Sequence, residues 1–182
     1  MLFIPVLNNK KLQKSIALIY GSDMGATEDV AATIYEKINI EELCVIDVHK
    51  IQPKRFLDFD ILILGVPTWY IGDLQSAWDE FFPKFEKINF KGIKVGFFGL
   101  GDQYGYPDNF VDGIGILAEV VKKNGGEIFG YWKNEGYEFN TSLGVAPNNM
   151  FYGLVIDEDN QYELTEKRIN KWVEQIKKEL KI

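Results

Sequence analysis

The sequence predicts a doubly wound α/β domain: a five-stranded parallel sheet with helices on both faces and a long insertion interrupting the fifth strand. Three observations carry this expectation. Four runs are nearly continuous in apolar residues, as strands buried on both faces are. Stretches of helical period lie between them. A Gly-, Asn- and aromatic-rich segment of about twenty residues then splits what otherwise reads as one last strand, a connection far longer than usual.

Residues 1–14 precede the first strand and read as an appended arm, which leaves 15–182 as one folded domain. Within the arm, Met1–Leu7 is apolar but too short to span a bilayer. It also lacks a basic segment before it and a small-residue cleavage site after it, so a signal peptide is not expected. The apolar runs are Ser15–Tyr20, Leu43–Val48, Ile61–Val66 and Val95–Leu100. A first helix places Val30, Ala31, Ile34 and Ile38 on one face, and a second groups Trp78, Phe81, Phe82 and Phe85. A third stripe, Phe110, Val111, Ile114, Leu117, Ala118 and Val121, stops at Asn124-Gly125-Gly126, where glycine suits a C-terminal cap. The fifth strand is expected near Glu127–Tyr131, breaks over Trp132–Asn149 and resumes over Met150–Ile156. Thr165, capping through its hydroxyl, should open a last helix with Ile169, Trp172, Val173, Ile176 and Leu180 inward.

Composition narrows the functions. Cys44 is the one cysteine and His49 the one histidine, which excludes an intramolecular disulfide and disfavours histidine-based triads and metal clusters. A reducing cytoplasm is the expected compartment. The formal charge of −7 repels nucleic acids and anionic membranes and favours partners with positive patches. Cys44 is expected to be inert packing in a buried strand, and His49 a surface turn residue. Asp157–Asp159 is expected to be a solvated turn.

Ligands of such sheets bind outside the carboxyl ends of the strands, where three loops concentrate informative residues. After the first strand comes Gly21-Ser22-Asp23-Met24-Gly25-Ala26-Thr27. Its small residues let the backbone fold around an anion, and the following helix turns unpaired N–H groups toward it. No lysine follows Gly25, so this is neither the lysine-bearing loop of ATPases nor a dinucleotide turn. A single phosphate held without a cationic side chain fits. Pro67-Thr68-Trp69-Tyr70-Ile71-Gly72 follows the third strand and puts aromatics at the ligand edge. After the fourth strand, Gly101-Asp102-Gln103-Tyr104-Gly105-Tyr106-Pro107-Asp108-Asn109 supplies a second aromatic wall with carboxylate and backbone partners. One phosphate pocket and two aromatic walls suit a flat heteroaromatic ring with a monophosphate tail, such as flavin mononucleotide (FMN).

These residues closely resemble the flavodoxin family. The family's phosphate pattern Thr/Ser-x-Thr-Gly-x-Thr is matched by Ser22–Thr27, and its Pro-Thr-Trp-x-x-Gly segment by Pro67–Gly72 continuing as Asp73-Leu74-Gln75-Ser76. Gly101-Asp102-Gln103 with Gly105-Tyr106, Gly130-Tyr131-Trp132, Gly136–Phe139 and Asp157–Gln161 match as well. The likeness runs from about Ile16 to Leu180, and the interrupted fifth strand is that of the long-chain type. The resemblance implies that Ser22, Asp23, Met24, Gly25, Ala26 and Thr27 hold the phosphate. It implies Trp69 as the inner stacking residue, between Pro67, Thr68 and Gly72, and Tyr106 as the outer, nearly coplanar one, with Asn109 closing that loop. Asp102, with the backbone of Leu100 and Gly101, would face the pyrimidine end of the ring. The peptide between Tyr70 and Ile71 would turn its carbonyl toward flavin N5–H once an electron arrives.

The implied function is a low-potential one-electron carrier without substrate turnover. Its implied partners are redox proteins with basic docking surfaces, such as ferredoxin-NADP reductase-like or photosystem-like proteins, met as a monomer in transient encounters. The alternative is a flavodoxin-like NAD(P)H-dependent quinone or flavin reductase, which would need an uncovered ring face for the nicotinamide. A phospho-receiver module is disfavoured, because Pro67-Thr68 stands where an acceptor aspartate would follow the third strand. One departure from the pattern matters: Met24 occupies the usual threonine position and removes one hydroxyl donor to the phosphate.

Overall fold

The computed structural model describes residues 14–182, so all of the expected arm but Lys14 lies outside the described residues. Strands β1 (Ile16–Tyr20), β2 (Cys44–Asp47), β3 (Ile61–Trp69), β5 (Lys94–Leu100) and β6 (Glu127–Ile128) form a parallel sheet in the order β2-β1-β3-β5-β6. The period-two alternation of side chains divides the core into two layers. Leu18, Ile61, Ile63 and Phe98 meet α1 (Ala26–Ile38) and α4 (Thr165–Leu180) on one face. Ala17, Ile19, Leu62, Leu64 and Phe97 meet α2 (Ser76–Phe85) and α3 (Asp112–Lys123) on the other. Trp78 and Trp172, one in each layer, are fully buried, and both indole N–H groups are satisfied. Trp78 Nε1 donates to the Gly65 carbonyl at 2.8 Å and Trp172 Nε1 to that of Gly130 at 2.7 Å.

The fifth strand is split as expected. β6 pairs with the start of β5, Val95 opposite Ile128, and β9 (Leu154–Ile156) pairs with its end, Gly99 opposite Val155. Between them the chain makes its own small antiparallel pair, β7 (Trp132–Lys133) with β8 (Met150–Phe151). Met150–Phe151 therefore does not resume the fifth strand, as the sequence suggested. Phe151 instead turns inward beside Phe110, Tyr137 and Phe139, ring to ring at 5.3–6.2 Å. The insertion thus brings its own aromatic anchor to the α3 layer.

Three further expectations are corrected. Cys44 is exposed, not buried: among the described residues β2 is an edge strand paired with β1 alone, and an apolar run reads the same at an edge as in the middle. Strand β3 continues past Val66 to Trp69, because Thr68 and Trp69 pair back on β4 (Asp73–Leu74). The hydroxyl of Thr165 does not cap α4; Thr165 is the first helical residue and its hydroxyl donates to the Glu158 carboxylate. The third helix does stop where glycine allows, with Gly125 at φ 86° and the Gly126 N–H on the Val121 carbonyl.

Candidate functional site

A cleft of about 490 Å³ opens at the carboxyl ends of β1, β3 and β5, where this winding order leaves a crevice. Size alone does not distinguish it, since a second cleft against α4 holds about 480 Å³. Its chemistry does. It is lined by residues of all three loops singled out in the sequence and by the Glu158-Asp159 turn, with no Lys, Arg or His in the lining among the described residues.

The first loop turns sharply into α1. Gly25 sits at φ 94°, a left-handed conformation that a β-carbon would strain, and its N–H donates to Ser22 Oγ at 3.0 Å. Helix α1 has no side-chain cap, so the N–H groups of its first turn stay available for an anion. Thr27 is buried under the loop, while Met24 is 86 % exposed at the rim. Asp23, also in the lining, is tied back to the neighbouring helix. Its Oδ1 accepts from Gln75 Nε2 and Ser76 Oγ, both at 2.7 Å. Partial burial works to raise its pKa, but these bonds prevail and hold the carboxyl below its ordinary value. Asp23 therefore ties the loop to the start of α2. Gly21 permits that approach: a β-carbon there would lie 2.2 Å from Gln75 Oε1.

The second loop is a tight reversal between β3 and β4. Tyr70 at φ 46° and Gly72 at φ 93° make the turn. A β-carbon at Gly72 would also meet Asn109 Nδ2 and Asp112 Oδ2, each at 2.9 Å. Trp69 lies in the cleft wall, edge-on to Tyr70 at 5.8 Å between ring centres. The Thr68 hydroxyl accepts from the Gly113 N–H at 2.9 Å and fixes the start of α3 below the wall.

The third loop is folded around Asp102. Its Oδ1 accepts from the Tyr104 and Gly105 N–H groups at 3.0 and 2.7 Å and from Asn160 Nδ2 at 2.8 Å. Burial again pushes upward, but these three donors hold the carboxyl below its usual range. Beneath lies Asp157, fully buried. It accepts from the Gln103 N–H at 3.2 Å and Nε2 at 2.6 Å, and from Asn160 N and Nδ2 at 3.0 Å. A buried carboxylate is tolerable only when so compensated. Gln103 then passes the connection on, its Oε1 accepting from the Glu138 N–H of the insertion at 2.6 Å. Asp159 feels the opposite pressure: burial first, then the nearby Asp102 and Asp157, raise its pKa.

Of the residues expected at the site, Ser22, Asp23, Met24, Ala26, Thr27, Pro67, Thr68, Trp69, Tyr70, Leu100, Gly101, Asp102 and Tyr106 line this one cleft. Four do not. Gly25 serves the turn, Ile71 is 78 % exposed at the reversal, Gly72 backs the loop, and Asn109 Nδ2 is spent on Asp112 at 2.9 Å. The Gly101 N–H is also taken, by the Ile156 carbonyl at 3.1 Å. Sequence reasoning missed Glu158 and Asp159 in the wall, and read the buried Asp157 as part of a solvated turn. It placed Gln75, Ser76 and Asn160 in matching segments but gave them no role. An acid run before the last helix was visible, but nothing in its pattern distinguishes a solvated turn from a buried brace.

The geometry can be set beside known proteins. A family model described as Flavodoxin matches residues 18–172. The flavodoxin of Nostoc sp. PCC 7120 is 44 % identical over 168 residues, covering 92 % of this chain and 98 % of its own. Flavodoxin 1 of Escherichia coli K12 is 43 % identical over 163 residues, covering 90 % and 93 %. A solved Fusobacterium nucleatum flavodoxin bound to flavin mononucleotide superposes with a TM-score of 0.86 at 34 % identity, covering 92 % and 99 %.

Proposed function

Because the chain belongs to the flavodoxin family, we propose that it holds one FMN in the cleft at the carboxyl edge of the sheet and carries single electrons between larger redox enzymes. The observation that carries this reading is a cleft walled by Trp69 and Tyr106, with an uncapped helix start at one end and, among the described residues, no cationic side chain in its lining. The residues present fit such a group. A monoester phosphate needs donors, and the first turn of α1 with the Ser22 and Thr27 hydroxyls supplies them. A planar ring needs two apolar faces, and an indole and a phenol offer them.

When bound, the flavin supplies reversible one-electron chemistry, and the protein supplies position and field. Asp23, Asp102, Glu158 and Asp159 place only negative charge along the lining, so any added negative charge in the cleft is resisted and a low potential follows. The Tyr70–Ile71 peptide lies in the reversal between β3 and β4, where Tyr70 and Gly72 are at positive φ, and would present a carbonyl to a protonated ring nitrogen. On this reading Tyr106, which lines the cleft, would cover the outer ring face and exclude a stacked nicotinamide, which disfavours the reductase alternative.

The interrupted fifth strand supports the long-chain type. No helix among the described residues is long and apolar enough to cross a membrane. A cytoplasmic monomer that meets basic docking faces agrees with the charge of −7 and the single cysteine. The decisive experiment is the visible spectrum of the purified protein with added FMN. Yellow protein that turns blue on partial reduction is expected, with the colour lost or weakened in Trp69→Ala. A colourless protein that refuses FMN overturns the reading. Fast anaerobic reduction by NADPH alone would replace the carrier with a reductase. For the partners, reduction by a basic reductase should change with ionic strength; indifference to salt removes the docking argument.

A further inference from the structure

We propose that the cleft between the insertion and α4 is a second ligand site, which takes a small organic anion: a phosphate or carboxylate on an apolar body. It does not depend on the FMN reading, and the two clefts share no lining residue. Lys133, Lys167, Arg168 and Lys171 line it against one carboxylate, Glu135, in a chain whose net charge is −7. Among the described residues, Lys37, Arg55, Lys94 and Lys122 each have an acidic partner within 4 Å, whereas Lys133, Lys167 and Lys171 are in no ion pair.

Arg168 gives the cluster a direction. It is only 7 % exposed, its guanidinium lies 4.2 Å from the centre of the Tyr137 ring, and its Nη2 donates to Gln161 Oε1 at 2.6 Å. Its Nη1 is buried with no acceptor among the described residues. A buried guanidinium nitrogen without an acceptor is costly, and among the described residues no carboxylate lies within ion-pair distance of Arg168. Arg168 lines the cleft, so an anion there would offset the guanidinium charge through space, and a small side-chain shift would give Nη1 an acceptor. Lys167, Arg168 and Lys171 also sit on the first two turns of α4, where the helix N-terminus adds positive potential.

The rest of the lining sets the ligand's body. Trp132, Leu164 and the methylene stems of the lysines form an apolar wall beside the charges. A bare inorganic ion would leave that wall wet. A volume of about 480 Å³ suits a compact molecule with one aromatic or aliphatic group better than an extended chain.

The test uses the full chain saturated with FMN and labelled with nitrogen-15, titrated with 1-naphthyl phosphate as probe and inorganic phosphate as the headgroup alone, at constant ionic strength. Saturable shifts of the Trp132 indole N–H and of Arg168 are expected, with the Ser22–Thr27 amides unmoved. Lys167→Gln with Lys171→Gln changes two exposed side chains and should weaken the probe about tenfold or more, as loss of charge-assisted contacts does. Glu135→Gln should tighten it. Shifts that never saturate, or an affinity indifferent to all three substitutions, overturn the site. Equal affinity for inorganic phosphate overturns the organic body. Shifts centred on the Ser22–Thr27 amides would mean that the probe reads the other cleft, and would overturn the assignment too.

Discussion

The loop at Ser22–Thr27 and the loop at Gly101–Asn109 close the same cleft from two sides, but they are held by different means. The first is a local device: a positive-φ glycine, an uncapped helix start and one tether from Asp23 to the neighbouring helix. The second is suspended on residues more than fifty positions away, Asp157 and Asn160, and through Gln103 on the insertion. The difference teaches where each side is vulnerable. A phosphate grip made of main-chain donors is lost by changing the path of the backbone. A ring-side wall made of a buried polar network is lost by removing one side chain in it.

The largest effect is therefore expected from Asp157→Ala. It leaves the buried Gln103 N–H and Nε2 donors without their acceptor, at about 1–3 kcal/mol for each group left unsatisfied, and cuts the bonds from the exposed Asn160 to the same carboxylate. Urea unfolding should show a loss of about 3 kcal/mol or more. If FMN sits as proposed, riboflavin and FMN should weaken together, because the ring side is what fails. Retention of full stability would mean that the network is ornamental. Gly21→Ala should come next. Its new methyl group collides with Gln75 Oε1 and with Trp78 Cδ1 at 2.6 Å, and overpacking of this kind costs about 1–3 kcal/mol. Here FMN should weaken more than riboflavin, since only FMN uses the phosphate side. Parallel losses for both ligands would erase the distinction between the two loops.

The same contrast explains what could be read from the sequence. The phosphate loop was legible because glycine, small residues and a helix start are adjacent in the chain and leave a pattern. The order of strands and helices was legible for a related reason, since burial on two faces forces continuous apolar runs. The braces were not. Gln103 and Asp157 are 54 positions apart, and neither carries a mark that distinguishes a buried partner from a solvated one. Nor could the apolar run at β2 announce that it lies at an edge, or Met150–Phe151 that it pairs within the insertion rather than with β5. Pairing is a property of two segments, and one segment's pattern does not name the other.

Met24→Thr sharpens the comparison from the phosphate side. The methionine stands at the rim, 86 % exposed, where a threonine hydroxyl could donate to the phosphate. A hydrogen bond to a charged group contributes about 1.5–3 kcal/mol, and exposure reduces it, so a gain of about tenfold in FMN affinity is expected, with riboflavin unchanged. Calorimetric titration of the apoprotein checks both. Equal or weaker FMN binding would mean that a main-chain donor already serves that oxygen.

The smallest effect concerns the ring side and follows from the sign of one shift. Asp102 is held below its ordinary pKa of 3.8 by the Gly105, Asn160 and Tyr104 donors, against the upward push of burial. An acid depressed in the folded state lends stability that is complete above the unfolded value and lost as pH falls through the folded one. The Asp102 turn should therefore loosen only below pH 3.8, and the amide resonances of Tyr104 and Gly105 should titrate with a midpoint under it. Asp159 works in the opposite sense: its raised pKa means that the ionised form costs stability, and protonation on acidification relieves that cost. The two contributions partly cancel in global stability, which is why the measurement is made at the amides. Asn160→Ala removes one of the three donors and should move the midpoint up toward 3.8, whereas Asp23→Asn on the phosphate side should leave it in place. A midpoint that follows Asp23 instead would mean that the two loops respond to acid as one unit, not as two.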